Sequence, residues 1–157
     1  MKKLLLMPLF LVFFLVSCND DEEEPIPAPV SQVDAQLRGK WTNTEVIRQY
    51  FSDTDTLMYA DTSNIEAFFE FDGKRMKISL PGESNQEVWN YSFPDKDNEN
   101  YIQFTKDGTT TDYLIKSISN TEMEWEDEEE YAGFPIDAEE KTTSRKGVYT
   151  YKFTRQQ

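Results

Sequence analysis

Carboxylates, tyrosine hydroxyls and one thiol are the groups through which this sequence is equipped to do chemistry. Its 157 residues include no histidine and a single cysteine, Cys18. That removes histidine acid–base catalysis, Ser/His and Cys/His nucleophile pairs, histidine metal ligands and intrachain disulfides together. Glu124 and Glu126 stand two apart, the spacing that puts both carboxylates on one face of a strand. Paired acids do glycosidase-type work only where they flank a substrate. Here Met123 and Trp125 occupy the alternate positions, so the two acids are expected to face water. The segment Asp95-Lys96-Asp97-Asn98-Glu99-Asn100 alternates oxygen donors as a calcium loop does. However, Asn100 stands where the turn glycine belongs and Lys106 where the bidentate acid belongs. It reads as a polar hairpin loop. No catalytic residue, metal or cofactor is expected, and the chain reads as a non-enzyme. The hydroxyls of Tyr91, Tyr113, Tyr149 and Tyr151 remain, and if buried they need partners that a wet or ligand-filled cavity supplies.

Cys18 has its own context. Met1-Lys2-Lys3 makes a positive start, Leu4 to Val16 is uncharged and apolar, and Ser17-Cys18 follows directly, which is the layout of a cleavable signal peptide over residues 1–17. The apolar run is shorter than the ~20 residues that span a bilayer and contains Pro8. Leu15-Val16-Ser17-Cys18 resembles the lipobox of bacterial lipoproteins, which implies an acylated Cys18 as the first mature residue and a membrane partner through that lipid. Residues 18–33 then read as an extended tether, because Asn19-Asp20-Asp21-Glu22-Glu23-Glu24 and the Pro25-Ile26-Pro27-Ala28-Pro29 alternation cannot form a core. An acidic run just after the cysteine also resembles the surface-export signal of lipoproteins in Bacteroidetes-type bacteria. That implies an outer-membrane, cell-surface location. Loss of the leader takes the net charge from −14 to −16, since it holds two lysines and no acid. Such a field repels phosphate backbones, and nucleic acid is not an expected partner.

Residues 34–157 must position whatever site there is. Apart from the short Gln32–Leu37 stretch, the hydrophobic period there is two. Aromatic and β-branched runs at 41–50, 65–71, 74–80, 87–93, 101–106, 109–118, 122–126 and 147–154 are separated by Gly, Asp, Asn, Ser or Pro. These runs predict an all-β fold of eight antiparallel strands. Asp72-Gly73 predicts a two-residue hairpin with Phe69 facing Met76, Ala67 facing Ile78, Ile65 facing Leu80, and Glu70 meeting Arg75. Asp107-Gly108 sets Phe104 across from Thr111 and Ile102 across from Tyr113. One face of each strand is apolar: Trp41, Phe69, Phe71, Met76, Ile78, Trp89, Tyr91, Phe93, Ile102, Phe104, Tyr113, Ile115, Met123, Trp125, Tyr149, Tyr151 and Phe153 form the inward set. A meander of one-faced strands closes into a barrel, and a two-sheet β-sandwich satisfies the same alternation.

The chain resembles the lipocalin-like (calycin) families on Leu37-Arg38-Gly39-Lys40-Trp41, on Phe69-Glu70-Phe71-Asp72-Gly73-Lys74, and on the run from Tyr101 through Tyr113 and Trp125 to Tyr151-Lys152-Phe153-Thr154-Arg155. The resemblance implies that Trp41 closes one barrel end with Arg155 lying across it, Gly39 permitting the approach. Eight strands also enclose enough space for one small ligand, which points to a hydrophobic or aromatic-stacking molecule with Trp89, Tyr91, Phe104, Tyr113, Trp125, Tyr149 and Tyr151 as candidate lining. The alternative is a barrel filled by its own aromatics and serving as an interaction module of a surface assembly. Two long segments, 51–64 and 127–146, interrupt the compact turns. The second carries Tyr131, Phe134 and Ile136 within acidic surroundings, an apolar tip suited to a lid, a protein-partner contact or a plug.

Overall fold

The computed structural model describes residues 29, 31–94, 100–136 and 141–157. The leader, Cys18, the acidic run and Asp95–Glu99 lie outside the described residues. One short helix, α1 (Gln32–Leu37), precedes strands β1 (Gly39–Phe51), β2 (Leu57–Ser63), β3 (Ala67–Phe71), β4 (Arg75–Ser79), β5 (Gln86–Ser92), β6 (Tyr101–Lys106), β7 (Thr109–Ile118), β8 (Glu122–Glu130), β9 (Gly133–Pro135), β10 (Lys141–Thr143) and β11 (Lys146–Arg155). Gln32 and Val33 lie within α1, and Val33 packs against the barrel core.

The antiparallel sheet runs β11-β8-β7-β6-β5-β4-β3-β1-β2, and β11 also pairs with β1 from Trp41↔Arg155 to Phe51↔Lys146. That last pairing closes an eight-stranded barrel and excludes the sandwich. β1 makes closure possible by dividing its other edge. Its first part pairs with β3 (Gly39↔Phe71 to Asn43↔Ala67) and its second part with β2 (Val46↔Ser63 to Phe51↔Leu57). A bulge between Asn43 and Glu45 marks the division, with the buried Asn43 side chain donating to the backbone oxygens of Glu45 and Lys152. β2 therefore lies outside the closed ring, in a segment expected to be a loop. There the sequence alternates Tyr59, Asp61 and Ser63 on one face with Met58, Ala60 and Thr62 on the other, which offers little hydrophobic contrast.

The Asp107-Gly108 hairpin has the expected register, Phe104↔Thr111 and Ile102↔Tyr113. At Asp72-Gly73 the register differs by two residues: Phe69 pairs with Ile78, Phe71 with Met76 and Glu70 with Lys77. Asp72 is the reason. Its Oδ1 accepts the backbone N–H of Lys74 (3.0 Å) and Arg75 (2.8 Å) while its own N–H donates to the Arg75 carbonyl (3.1 Å), so the turn spans Asp72 to Arg75. An even shift leaves every side chain on its expected face. Arg75 then pairs with Asp72 (3.1 Å) instead of Glu70. Ile65 and Leu80 fall beyond the strand ends and are exposed.

α1 seals one barrel end. The Ser31 hydroxyl caps its first turn by accepting from Asp34 N–H (3.0 Å), and Leu37 at its last turn is wholly buried in the barrel core. The helix ends in three successive carbonyls with assigned donors. Arg155 Nη2 donates to Gln36, Trp41 Nε1 to Leu37 (2.7 Å) and Arg155 Nη1 to Arg38 (2.8 Å). The Arg155 guanidinium also lies 4.3 Å from the Trp41 ring centre. The expected Trp41–Arg155 contact is therefore present, and it orders the helix as well as capping the barrel. Gly39, at φ +116°, permits the approach, since a Cβ there would stand 2.9 Å from Arg155 Nη1. On the far side of the helix, the buried Asp34 carboxylate takes Arg38 Nη2 (2.6 Å) and the Tyr91 hydroxyl (3.0 Å). Burial, and then the Asp34 charge, push the Tyr91 phenol well above its ordinary range.

Gly39→Ala is expected to lower stability by about 1–3 kcal/mol through backbone strain and displacement of Arg155. Gly133→Ala, whose added Cβ would stand 3.8 Å from the Thr142 carbonyl oxygen in ordinary contact, should change it little; thermal unfolding of both variants reads the contrast. Tyr91→Phe should also cost about 1–3 kcal/mol, because Asp34 loses a donor while remaining buried.

Candidate functional site

Side chains from alternate strand positions fill the barrel from the α1 end upward. Trp41, Tyr91, Ile102, Phe71, Phe104, Met123, Trp125 and Phe153 belong to one buried cluster, with Phe69, Ile78, Trp89, Tyr113 and Tyr151 packed against it. Edge-to-face and tilted ring contacts dominate: Trp125 lies 4.6 Å from Phe153, 5.4 Å from Phe104 and 5.8 Å from Tyr113, centre to centre. Toward the other end the filling stops, leaving a cavity of about 220 Å³ walled by Trp89, Phe104, Tyr113, Trp125 and Tyr151 together with Phe69, Met76, Ile78, Thr111 and Phe153.

Five of the seven expected lining residues therefore meet at one cavity. The other two do not reach it. Tyr91 turns toward α1, where its hydroxyl is committed to Asp34. Tyr149 belongs to a second apolar cluster higher up, with its hydroxyl donating to Glu129 Oε2 (3.1 Å). The period of two put all seven on the inner face correctly; it carries no information about height along the barrel axis.

The cavity wall is apolar with few polar atoms. The Tyr113 and Tyr151 hydroxyls are hydrogen-bonded to each other, their rings 5.9 Å apart. Burial, reinforced by the nearby Asp127 charge, raises both phenols above their ordinary range. The Trp125 indole N–H is buried and has no hydrogen-bond acceptor among the described residues.

Charged groups ring the mouth. On β5, Glu87 sits two residues from Trp89, accepts its indole N–H (3.2 Å) and pairs with Lys106 (3.3 Å), whose ammonium lies 5.3 Å from the Trp89 ring centre. The bond from Trp89, then Lys106, holds the Glu87 carboxyl below the usual range. Opposite, Arg48 on β1 pairs with Asp61 on β2 (3.1 Å). Asp61 was not among the expected functional residues; its segment has no hydrophobic signature, and only the β1–β2 pairing brings it to the rim.

One side of the barrel stands taller than the other. Beyond the rim, β2, β1, β11 and β8 continue as a wall carrying the second cluster of Tyr50, Ala132 and Phe134, with Tyr59 and Tyr149 against it. Tyr59 stacks on Phe134 at 5.5 Å and 13°. Phe134 is delivered there by the β9–β10 hairpin, so the expected apolar tip is divided: Phe134 is packed, while Tyr131 and Ile136 are 65% and 58% exposed. Glu124 and Glu126 lie on the outer face of β8, with Glu126 3.3 Å from Lys116. Among the described residues no group of three or more Cys, Asp or Glu side chains is arranged to hold a metal ion.

No protein-family model matches this chain, and no curated protein matches it.

The raised phenols give a signed pH dependence. Their folded-state affinity for protons exceeds that of the unfolded chain, whose tyrosines ionise near 10.0. Their contribution to stability is therefore complete below that value and is lost as pH rises through the folded-state values. Denaturant unfolding from pH 8 to pH 12 should show stability falling above about pH 10, and Tyr113→Phe/Tyr151→Phe should make that decline shallower.

Proposed function

We propose that this protein is a non-enzymatic, lipid-anchored, lipocalin-like barrel that holds one small hydrophobic or aromatic-stacking molecule outside the membrane. The observation that carries the reading is the cavity of about 220 Å³ above a sealed barrel floor, walled by aromatic rings and almost free of polar atoms. Its size limits the ligand. An apolar cavity of about 150 Å³ accepts benzene, while drug-sized ligands occupy about 300–1,000 Å³. A one- or two-ring compound fits this space; a long-chain fatty acid or a sterol does not. Cys18 at the end of the apolar leader and the acidic run behind it support attachment by lipid at the outer membrane and exposure at the cell surface.

A second reading, an accessory module that docks a surface protein, draws on the exposure of Tyr131 and Ile136 beside Glu128, Glu129 and Glu130. Two measurements separate the readings. Calorimetric titration with 2-phenylethanol should detect saturable one-to-one binding, and Ile78→Trp, which fills the cavity, should weaken it at least tenfold. Binding that is absent, or unchanged in Ile78→Trp, would refute the cavity reading. The surface-module reading expects instead that Tyr131→Ser/Ile136→Ser removes a co-purifying surface protein. For the anchor, metabolic labelling with a fatty-acid precursor should mark the wild type and leave Cys18→Ala unlabelled.

A further inference from the structure

The charges at the cavity mouth do not balance. Glu87 is compensated by Lys106 at 3.3 Å and Arg48 by Asp61 at 3.1 Å, and these pairs stand on opposite sides of the opening. Asp127 stands between them without such compensation. It follows Trp125 by two residues on β8, a continuous strand from Glu122 to Glu130, so it projects from the same face as that cavity-wall indole. Its cross-strand neighbour is Tyr149, and its charge acts on the hydroxyls of both Tyr113 and Tyr151. It accepts the backbone N–H of Glu128 but makes no ion pair among the described residues; the next charged group on its face of β8, Glu129, carries the same sign, and Arg48, across Tyr149 on β1, is paired with Asp61. Burial, then Glu129, raise its carboxyl above the usual range, the direction expected of an acid that lacks a countercharge.

Resting on the cavity reading above, we propose that the ligand is a small organic cation: a one- or two-ring body seated among Trp125, Tyr113 and Tyr151, with an ammonium group at Asp127. Three features support this chemistry. The aromatic faces that enclose the apolar body also attract positive charge. The Asp127 charge acts on the hydroxyls of Tyr113 and Tyr151, two residues of the cavity wall, so a short side arm of a ligand seated there is directed toward it. The net charge of −14 over the whole chain raises the local concentration of cations and disfavours anions. A carboxylate-bearing ligand of the same shape would meet Asp127 and Glu129, while Arg48 and Lys106, the cations at the mouth among the described residues, are already paired with Asp61 and Glu87.

The test compares three probes with one ring and one two-carbon arm that carry a cationic, a neutral or an anionic terminal group: 2-phenylethylamine, 2-phenylethanol and phenylacetate. Each is titrated calorimetrically at pH 7 into wild type, Asp127→Asn and Ile78→Trp. The amine is expected to bind about tenfold or more tightly than the alcohol, with phenylacetate weakest. Asp127→Asn should bring the amine to the level of the alcohol without changing the alcohol, and raising the salt concentration should narrow the wild-type preference. Ile78→Trp should weaken both. If the alcohol binds as well as the amine, or if the preference survives in Asp127→Asn, the cation inference is overturned while the cavity reading stands. If neither probe binds wild type, both fall.

Discussion

The pairing of β1 with β11 is the constraint from which the rest of the molecule follows. It joins the first and last strands of the domain along the full length of β11, from Trp41↔Arg155 to Phe51↔Lys146, and so converts a meander with two open edges into a ring. Only then do the alternate side chains of distant strands share an interior. The same pairing sets Arg155 over Trp41, where its guanidinium can reach the carbonyls of Gln36 and Arg38. One interaction thus closes the wall and fastens the plug. A planar, five-donor fork suits this double duty in a way an ammonium does not.

Closure also accounts for the asymmetry of the two barrel ends. β1 and β11 are longer than β3, β4, β5 and β6, so the strands that close the ring overshoot it. The overshoot would expose backbone groups and apolar rings. β2 covers one side by pairing with the second part of β1, and the β9–β10 hairpin brings Phe134 onto Tyr50 and Tyr59. The second cluster is the packing consequence of that overshoot. It leaves the shorter wall, from β4 to β6, as the low side of the opening, with Trp89 and Lys106 at its edge.

Between plug and opening, packing determines what space remains. At the lower level Trp125, Phe153 and Phe104 are close enough to fill the interior. Above them Thr111 and Ile78 supply less volume than the rings they face, and the cavity lies at that level. A filled core and a small cavity thus coexist in one barrel, stacked along its axis.

The all-β class, the inner-face residues and the Asp107-Gly108 register were legible in residue types and spacing, whereas the Trp41–Arg155 contact was expected only from the resemblance to lipocalin-like families. The first three follow from local rules, a side-chain period of two and a two-residue turn. At Asp72 a local rule misled, because the carboxylate captured two backbone amides and lengthened the turn; the faces survived because the shift was even. β2 was hidden by its mixed polarity, and the height of Tyr91 and Tyr149 along the axis has no signature in a one-dimensional pattern. The pairing of Asp34 with Tyr91, the meeting of Asp61 with Arg48, and the lack of any ion pair for Asp127 came from the tertiary structure alone. These relations join residues remote in the chain, and which charges meet and which are left over is decided only when the sheet closes and brings separate strands to one rim.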